Sequence, residues 1–214
     1  MSGSQKQCAL FLDRDGTLVH PGHYPSQPEQ LRLYHGIGPE LRILQEAGMR
    51  LVVITNQSGL ARGYFTKADL ERMHEHLGSM LARWNVQLDG IYYCPHHVDG
   101  IIPELAIQCD CRKPQPGMVL RAATDLRLDL ACSWFVGDIL DDIEAGKRAG
   151  CRTILVDLGT EKLPAQAIRN PDYVAHDTLH ALRIVRAFVQ EGTQAELTYR
   201  PPHWSLSPQI GAQV

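Results

Sequence analysis

The chain has 214 residues, 44% of them apolar and 21% charged, with a formal net charge of −3. That length suits one large domain or two small ones with a sizeable core, and the mild acidity gives no electrostatic footing for nucleic acid. No apolar run approaches the roughly 18 residues of a membrane span. Residues 1–7 lack the apolar stretch of a signal peptide, so the expected compartment is the cytoplasm. The six cysteines are then expected to be reduced, and their spacing is read for metal before disulfides.

Cys8 to Leu12 is a short, bounded apolar run, as in a buried parallel strand. Asp13-Arg14-Asp15-Gly16-Thr17 follows it. Side chains alternate along a strand, so Asp13 and Asp15 would share one side if the strand continued, and Gly16 permits a sharp turn. Two acids in one site repel and raise a pKa, for which a divalent cation is a common remedy. A solvated acidic loop is an equally open reading of an isolated Asp-x-Asp.

A loop rich in Pro, Gly and His spans His20 to Pro28, then Ile37 to Ala47 has helical periodicity and stops at Gly48. Leu51 to Ile54 predicts a second strand, ending in Thr55-Asn56-Gln57-Ser58-Gly59. Thr66, with Asp69 three positions on, marks the start of a helix reaching about Trp84. Ile91 to Tyr93 predicts a third strand, and Cys94 to Pro116 shows no period, which points to a ligand-organised loop. Helix is predicted over Met118 to Leu126, strand over Trp134 to Val136, and helix again over Asp141 to Ala149. Thr153 to Val156 and Tyr173 to Ala175 read as strands before a helix from Thr178 to about Val189. An extended or partly disordered tail is expected from Glu191 onward.

Continuous apolar strands alternating with helices predict an α/β fold, a parallel sheet covered on both faces. No linker divides it, so residues 1–190 form one expected domain. The strand ends of such a sheet point one way and form its ligand edge. They would gather Asp13 and Asp15, Thr55, Lys113, and the acids Asp138, Asp141 and Asp142. That inventory suits phosphoryl transfer through an aspartyl-phosphate. Mg²⁺ and a fixed ammonium would offset the repulsion between a carboxylate and a phosphate. Singly, Thr55 could cap a turn, Lys113 could be a solvated charge and Asp138 an N-cap. Asp141 reads as a first-turn acid favoured by the helix dipole.

In order, Asp13-x-Asp15-Gly16-Thr17, Thr55, Lys113 and Gly137-Asp138-x-x-x-Asp142 resemble the motifs of the haloacid dehalogenase superfamily of phosphatases, over about Cys8 to His180. The resemblance implies a Rossmann-like sheet. It implies Asp13 as nucleophile, Asp15 as general acid–base, and Thr55 and Lys113 as phosphoryl-binding groups. Mg²⁺ would be held by Asp138, the Asp13 carboxylate and the Asp15 backbone carbonyl, with Asp142 in the outer shell.

The irregular stretch contains Cys94-Pro95-His96-His97 and Cys109-Asp110-Cys111. Three cysteines and a histidine in two short clusters match a closed, structural zinc site, and zinc binding would order a loop that lacks a core. His96 is the expected ligand, because Cys-x-His mirrors Cys-x-Cys. Cys8, Cys132 and Cys151 lie in or beside apolar strands and are expected as core residues. The zinc loop and the Arg112-Lys113-Pro114 that follows resemble the zinc-containing D-glycero-D-manno-heptose 1,7-bisphosphate phosphatases, whose histidinol-phosphate-hydrolysing relatives share the loop. The resemblance implies no large cap domain, the zinc loop (94–111) taking its place, and substrate contacts from Pro21, Gly22, His23, Tyr24, Asn56, Gln57, Ser58 and Arg112. Ile139 departs from the pattern, standing where many such enzymes carry a substrate-binding lysine.

The expected activity is a Mg²⁺-dependent phosphatase, acting on a heptose bisphosphate or, alternatively, on histidinol phosphate or another small metabolite. A non-catalytic module binding phosphorylated ligands is the reading from a different class. A small phosphorylated metabolite is the expected partner of a monomer, with neither nucleic acid nor membrane.

Overall fold

The computed structural model describes residues 7–162 and 164–191. Six parallel strands form one sheet: β1 (Ala9–Leu12), β2 (Arg50–Asn56), β3 (Gly90–Cys94), β4 (Trp134–Gly137), β5 (Arg152–Val156) and β6 (Tyr173–Ala175). Their spatial order is β3-β2-β1-β4-β5-β6. The chain winds outward from β1 in both directions, so β1 and β4 meet at the point where the order reverses. Open α/β sheets place ligands outside the strand ends at such a switch point.

Five helices cover the sheet: α1 (Ile37–Glu46), α2 (Lys67–Ala82), α3 (Gly117–Leu126), α4 (Leu140–Ala149) and α5 (Thr178–Glu191). Strand alternation divides the core. Leu10, Leu12, Leu51, Val53, Trp134 and Val136 pack with α1, α2 and α5 on one face. Ala9, Phe11, Val52, Ile54 and Phe135 pack with Met118, Val119 and Ala122 of α3 on the other. Each fully buried large apolar side chain contributes about 1.5–3 kcal/mol. Both faces are thus dry, as the unbroken apolar strands predict, and no separate cap domain stands among the described residues.

The helix ends follow local chemistry. The Thr66 hydroxyl accepts the Asp69 N–H at 3.2 Å, while Asp69 Oδ2 accepts the Thr66 N–H at 2.7 Å, a reciprocal cap of the kind the spacing suggests. α2 ends at Ala82 rather than Trp84, just before Asn85 turns to a positive φ of 54°. Gly150 closes α4 at φ 93°. The tail expectation falls outside the described residues, apart from Glu191, which ends α5.

One expectation is overturned. Cys8 and Cys132 are neither reduced nor core residues: they form a disulfide with their Cα atoms 5.3 Å apart. The cause is topological. β1 and β4 are neighbours, with Leu10 opposite Trp134, so the residues just before each strand lie side by side despite their distance in sequence. Cys132 is exposed and Cys8 half-buried. Cys151 remains a buried thiol.

Candidate active site

β1 ends at Leu12, and the Asp13 N–H still donates to the Val136 carbonyl of β4 at 3.0 Å. Asp13 thereby sits at the switch point, almost wholly buried. Lys113, 2% exposed, reaches it from the end of the long loop. Its Nζ lies 2.6 Å from Asp13 Oδ1 and 2.6 Å from Asp142 Oδ1, and donates to the Ile54 carbonyl at 2.9 Å. The Asn56 side chain anchors that lysine's backbone, accepting the Lys113 N–H at 3.1 Å and donating to its carbonyl at 3.2 Å.

Asp13, Asp138 and Asp142 each offer a carboxylate oxygen, all within 4.8 Å of one another. Gly16, at φ +92°, makes this approach possible, since a Cβ there would lie 2.2 Å from Asp138 Oδ2. Thr17 donates its hydroxyl to Asp138 Oδ1 at 3.4 Å. Asp142 is the third helical residue of α4 and also accepts the Ile139 N–H, at 3.3 Å, so its backbone position is set by the helix start. Asp141, one residue earlier, turns away to pair with Arg169.

Electrostatics follow from burial. Loss of water pushes the Asp13 carboxyl up to about 7; Lys113 opposes this, while Asp142 and Asp15 add to it. Burial, then Asp13 and Asp142, push Asp138 up to about 8, again against Lys113. Burial also raises Asp142, with Lys113 opposing. Burial alone would lower the Lys113 amine, but Asp13 and Asp142 outweigh it and hold the amine above the ordinary lysine range. Three buried carboxylates against one ammonium leave surplus negative charge, which a divalent cation would neutralise.

Asp15 lies apart from this cluster, on the wall of a cavity of about 150 Å³ lined also by Arg14, Gly22, His23, Tyr24, Asn56, Gln57 and Ser58. Its carboxylate is held by Arg14 and Gln57. Thr55 is buried at the end of β2 and accepts from the Gln57 side-chain amide at 2.8 Å. Tyr24 stands edge-on to Tyr64, ring centroids 4.6 Å apart, with a positive φ of 51°. Non-glycine residues seldom adopt that backbone, and where they do it is often beside a site. Pro21 is exposed on the same loop but does not line the cavity. Arg112 and Lys113 line a second cavity of about 220 Å³ with His97, Val98, Ile107 and Asp141.

The loop after β3 gathers Cys94 Sγ, His96 Nδ1, Cys109 Sγ and Cys111 Sγ within 4.8 Å of one another. The sulfurs are 3.2 to 3.6 Å apart, close to the edge of roughly 3.8 Å expected for a tetrahedron with metal–sulfur bonds of ~2.3 Å. The set could hold a metal ion. His97 instead accepts the Asp99 N–H at 3.1 Å. The loop's far end leans on the turn after β2, Ile101 and Ile102 donating to the Ala61 carbonyl at 2.8 and 3.0 Å.

Arg14 and the direct Lys113–Asp142 pair belong to the site although no motif singled them out. Alternation offered a signal for the first: a residue flanked by Asp13 and Asp15 at the end of a doubly covered strand faces the opposite, equally dry side, where a guanidinium must find partners.

The geometry is matched by relatives. A HAD-hydrolase-like family profile matches residues 110–181. The D-glycero-β-D-manno-heptose-1,7-bisphosphate 7-phosphatase of Salmonella typhi is 44% identical over 78% of this chain and 88% of its own length. The enzyme of the same name from Escherichia coli K12 is 45% identical over 73% and 82%. The crystal structure of D,D-heptose 1,7-bisphosphate phosphatase from B. bronchiseptica, complexed with magnesium and phosphate, superposes with a TM-score of 0.71 at 32% identity, covering 83% of this chain and 97% of that one. The chain belongs to the heptose-1,7-bisphosphate 7-phosphatase family of HAD-like hydrolases, and it is a phosphatase.

Proposed function

We propose that the protein removes one phosphate from D-glycero-D-manno-heptose 1,7-bisphosphate, leaving heptose 1-phosphate. The observation that carries the chemistry is the Lys113 ammonium 2.6 Å from the Asp13 carboxylate, with Asp15 two residues on at the wall of an open cavity. The buried ammonium favours the ionised form of the neighbouring carboxylate, which a nucleophile needs, against the burial that raises it. The relatives' activity points to the sugar, and the site supplies the reaction.

Asp13 attacks phosphorus and forms an aspartyl-phosphate as the bond to the sugar oxygen breaks. Asp15 gives its proton to that leaving oxygen. Asp15 then takes a proton from water, whose oxygen attacks the aspartyl-phosphate, releasing inorganic phosphate and restoring Asp13. Lys113 and the Thr55 hydroxyl hold the phosphoryl oxygens throughout. Mg²⁺ fits the surplus charge of Asp13 and Asp138, with the Asp15 carbonyl as a further ligand; when bound, it neutralises phosphoryl charge. Asp142, paired with Lys113, fixes the amine rather than the ion. Zn²⁺ fits Cys94, His96, Cys109 and Cys111, four protein ligands with a structural role.

Substrate would span the cavity beside Asp15 and the one lined by Lys113 and Arg112. Pro21 to Tyr24 and Ser58 would border its sugar on one side and Arg112 would face its second phosphate on the other, while Asn56 and Gln57 act mainly through their bonds to Lys113, Asp15 and Thr55. We take the protein to be a monomer of the cytoplasm, a compartment in which a disulfide such as Cys8–Cys132 is uncommon. No helix among the described residues is long and apolar enough to cross a membrane.

Turnover of a panel of phosphorylated metabolites with Mg²⁺ tests this reading. The expected result is a kcat/KM for heptose 1,7-bisphosphate at least ~100-fold above that for histidinol phosphate. Preference for histidinol phosphate would change the substrate while leaving the mechanism. Binding without phosphate release would remove both.

A further inference from the structure

Arg14 has the largest side chain among the fully buried ones, at 0% exposure. A guanidinium withdrawn from water is costly unless it is paired and hydrogen-bonded. Here Arg14 Nε donates to Asp15 Oδ2 at 3.0 Å and Nη2 to Asp15 Oδ1 at 3.1 Å, a two-pronged grip. The same Nη2 donates to Gln57 Oε1 at 3.1 Å. Gln57, only 4% exposed, returns its amide N–H groups to Asp15 Oδ2 at 3.0 Å and to Thr55 Oγ1 at 2.8 Å. The ring is closed: arginine, glutamine and carboxylate each bond the other two. His74 of α2 backs it, its imidazole lowered to about 4 first by burial and then by the Arg14 guanidinium, so it adds no second charge at neutral pH.

We propose that Arg14 and Gln57 are positioning residues for Asp15, and that Gln57 couples the direction of that carboxylate to the Thr55 hydroxyl. The proposal rests on the phosphatase reading above. Asp15 borders open space, its side chain 27% exposed, and a two-bond side chain there would otherwise sample several rotamers. Three N–H donors from two buried side chains hold it in one. Because Gln57 reaches both Asp15 and Thr55, the group that handles the leaving oxygen and the group that handles the phosphoryl oxygens are held in a single rigid piece. Productive geometry of this kind needs support within about 0.5 Å. Among the residues lining the cavity that Gly22 to Pro25 help to wall, Asp15 is the one acid.

A role exercised through Asp15 has a signature that simple destabilisation lacks. A sugar alkoxide leaves badly without a proton, whereas p-nitrophenolate leaves well without one, so only the first substrate depends strongly on the placement of an acid. Gln57→Leu should lower kcat on a sugar phosphate about 10- to 100-fold with KM changed less than about threefold. On p-nitrophenyl phosphate the loss should be at least about fivefold smaller. In an Asp15→Asn background the same substitution should cost less than about threefold, because partners in one network are not additive. Arg14→Lys, which keeps the charge and loses the two-pronged grip, should follow the same pattern and serves if Gln57→Leu folds poorly. Equal losses on the two substrates, or full additivity with Asp15→Asn, would overturn the positioning role while the phosphatase stands. A wild-type enzyme releasing no phosphate from any substrate would overturn the phosphatase reading, and this inference with it.

Discussion

The strand tips and the long loop both gather distant side chains to a point, but by different means. At the tips, a six-stranded parallel sheet sets the positions first. Asp13 and Asp138 extend neighbouring strands, Asp142 is fixed by the start of α4, and Lys113 comes in through a backbone anchored by Asn56. In residues 95–116 there is no strand or helix to set anything. That stretch brings together Cys94, His96, Cys109 and Cys111, a set that could hold a metal ion, and bonds to the turn carrying Ala61. Groups placed by a sheet can be altered at a cost mainly in chemistry; groups placed by a ligand cluster carry the local fold with them.

The largest effect expected from that contrast is at Asp13. Asp13→Asn should lower phosphate release by at least about 10³-fold, since the nucleophile is gone, while the thermal midpoint stays at or above that of the parent. The comparison breaks if this variant unfolds. Next is Cys109→Ser, for which the order of damage reverses. Zinc content should fall, residues 95–116 should become open to limited proteolysis, and kcat/KM should drop about 10- to 100-fold, by analogy with loss of ligand support at metal sites. A loop that stays protected with the metal gone would show that its protein contacts suffice.

Gly16→Ala tests the tips more gently. Its Cβ would press into the Asp138 carboxylate, from a backbone at φ +92°. Mg²⁺ affinity should fall about tenfold or more, read as a higher metal concentration for half-maximal rate, with zinc content unchanged.

The smallest effect is on stability against pH in metal-free protein. Asp13 and Asp138 are raised from 3.8 to about 7 and about 8, so between pH 4 and 8 the folded state binds more protons than the unfolded. Stability then falls as pH rises through that window, because ionising these acids costs more in the folded protein. The thermal midpoint should drop from pH 5 to pH 8. Added Mg²⁺ should recover more at pH 8 than at pH 5, since it favours the ionised form. A midpoint that rises over the same range would show that the acid cluster does not dominate.

Much of this was legible along the chain. Cys8 to Leu12 and Leu51 to Ile54 are apolar without a break because both faces are covered, so periodicity located the strands and the doubly wound class. The two cysteine clusters stood out because the residues between them have no period. Less legible were contacts that depend on which strands are neighbours. Cys8 and Cys132 read as core thiols, and only the adjacency of β1 and β4 shows them to be a disulfide pair. Asn56 and Gln57 read as substrate contacts, and the structure adds what the residues did not show, their side-chain bonds to Lys113, Asp15 and Thr55.

By itself, residue order determined the alternation of strands and helices, the acids at the end of the first strand and the set of soft ligands in the loop. Each is a matter of local spacing, governed by the strand and helix repeats and by ligand type. Tertiary structure alone decided that Lys113 bridges Asp13 and Asp142, and that Arg14 is buried and turned back on Asp15. Those outcomes depend on packing across the sheet, where a charge removed from water must pair with whatever the fold has brought beside it.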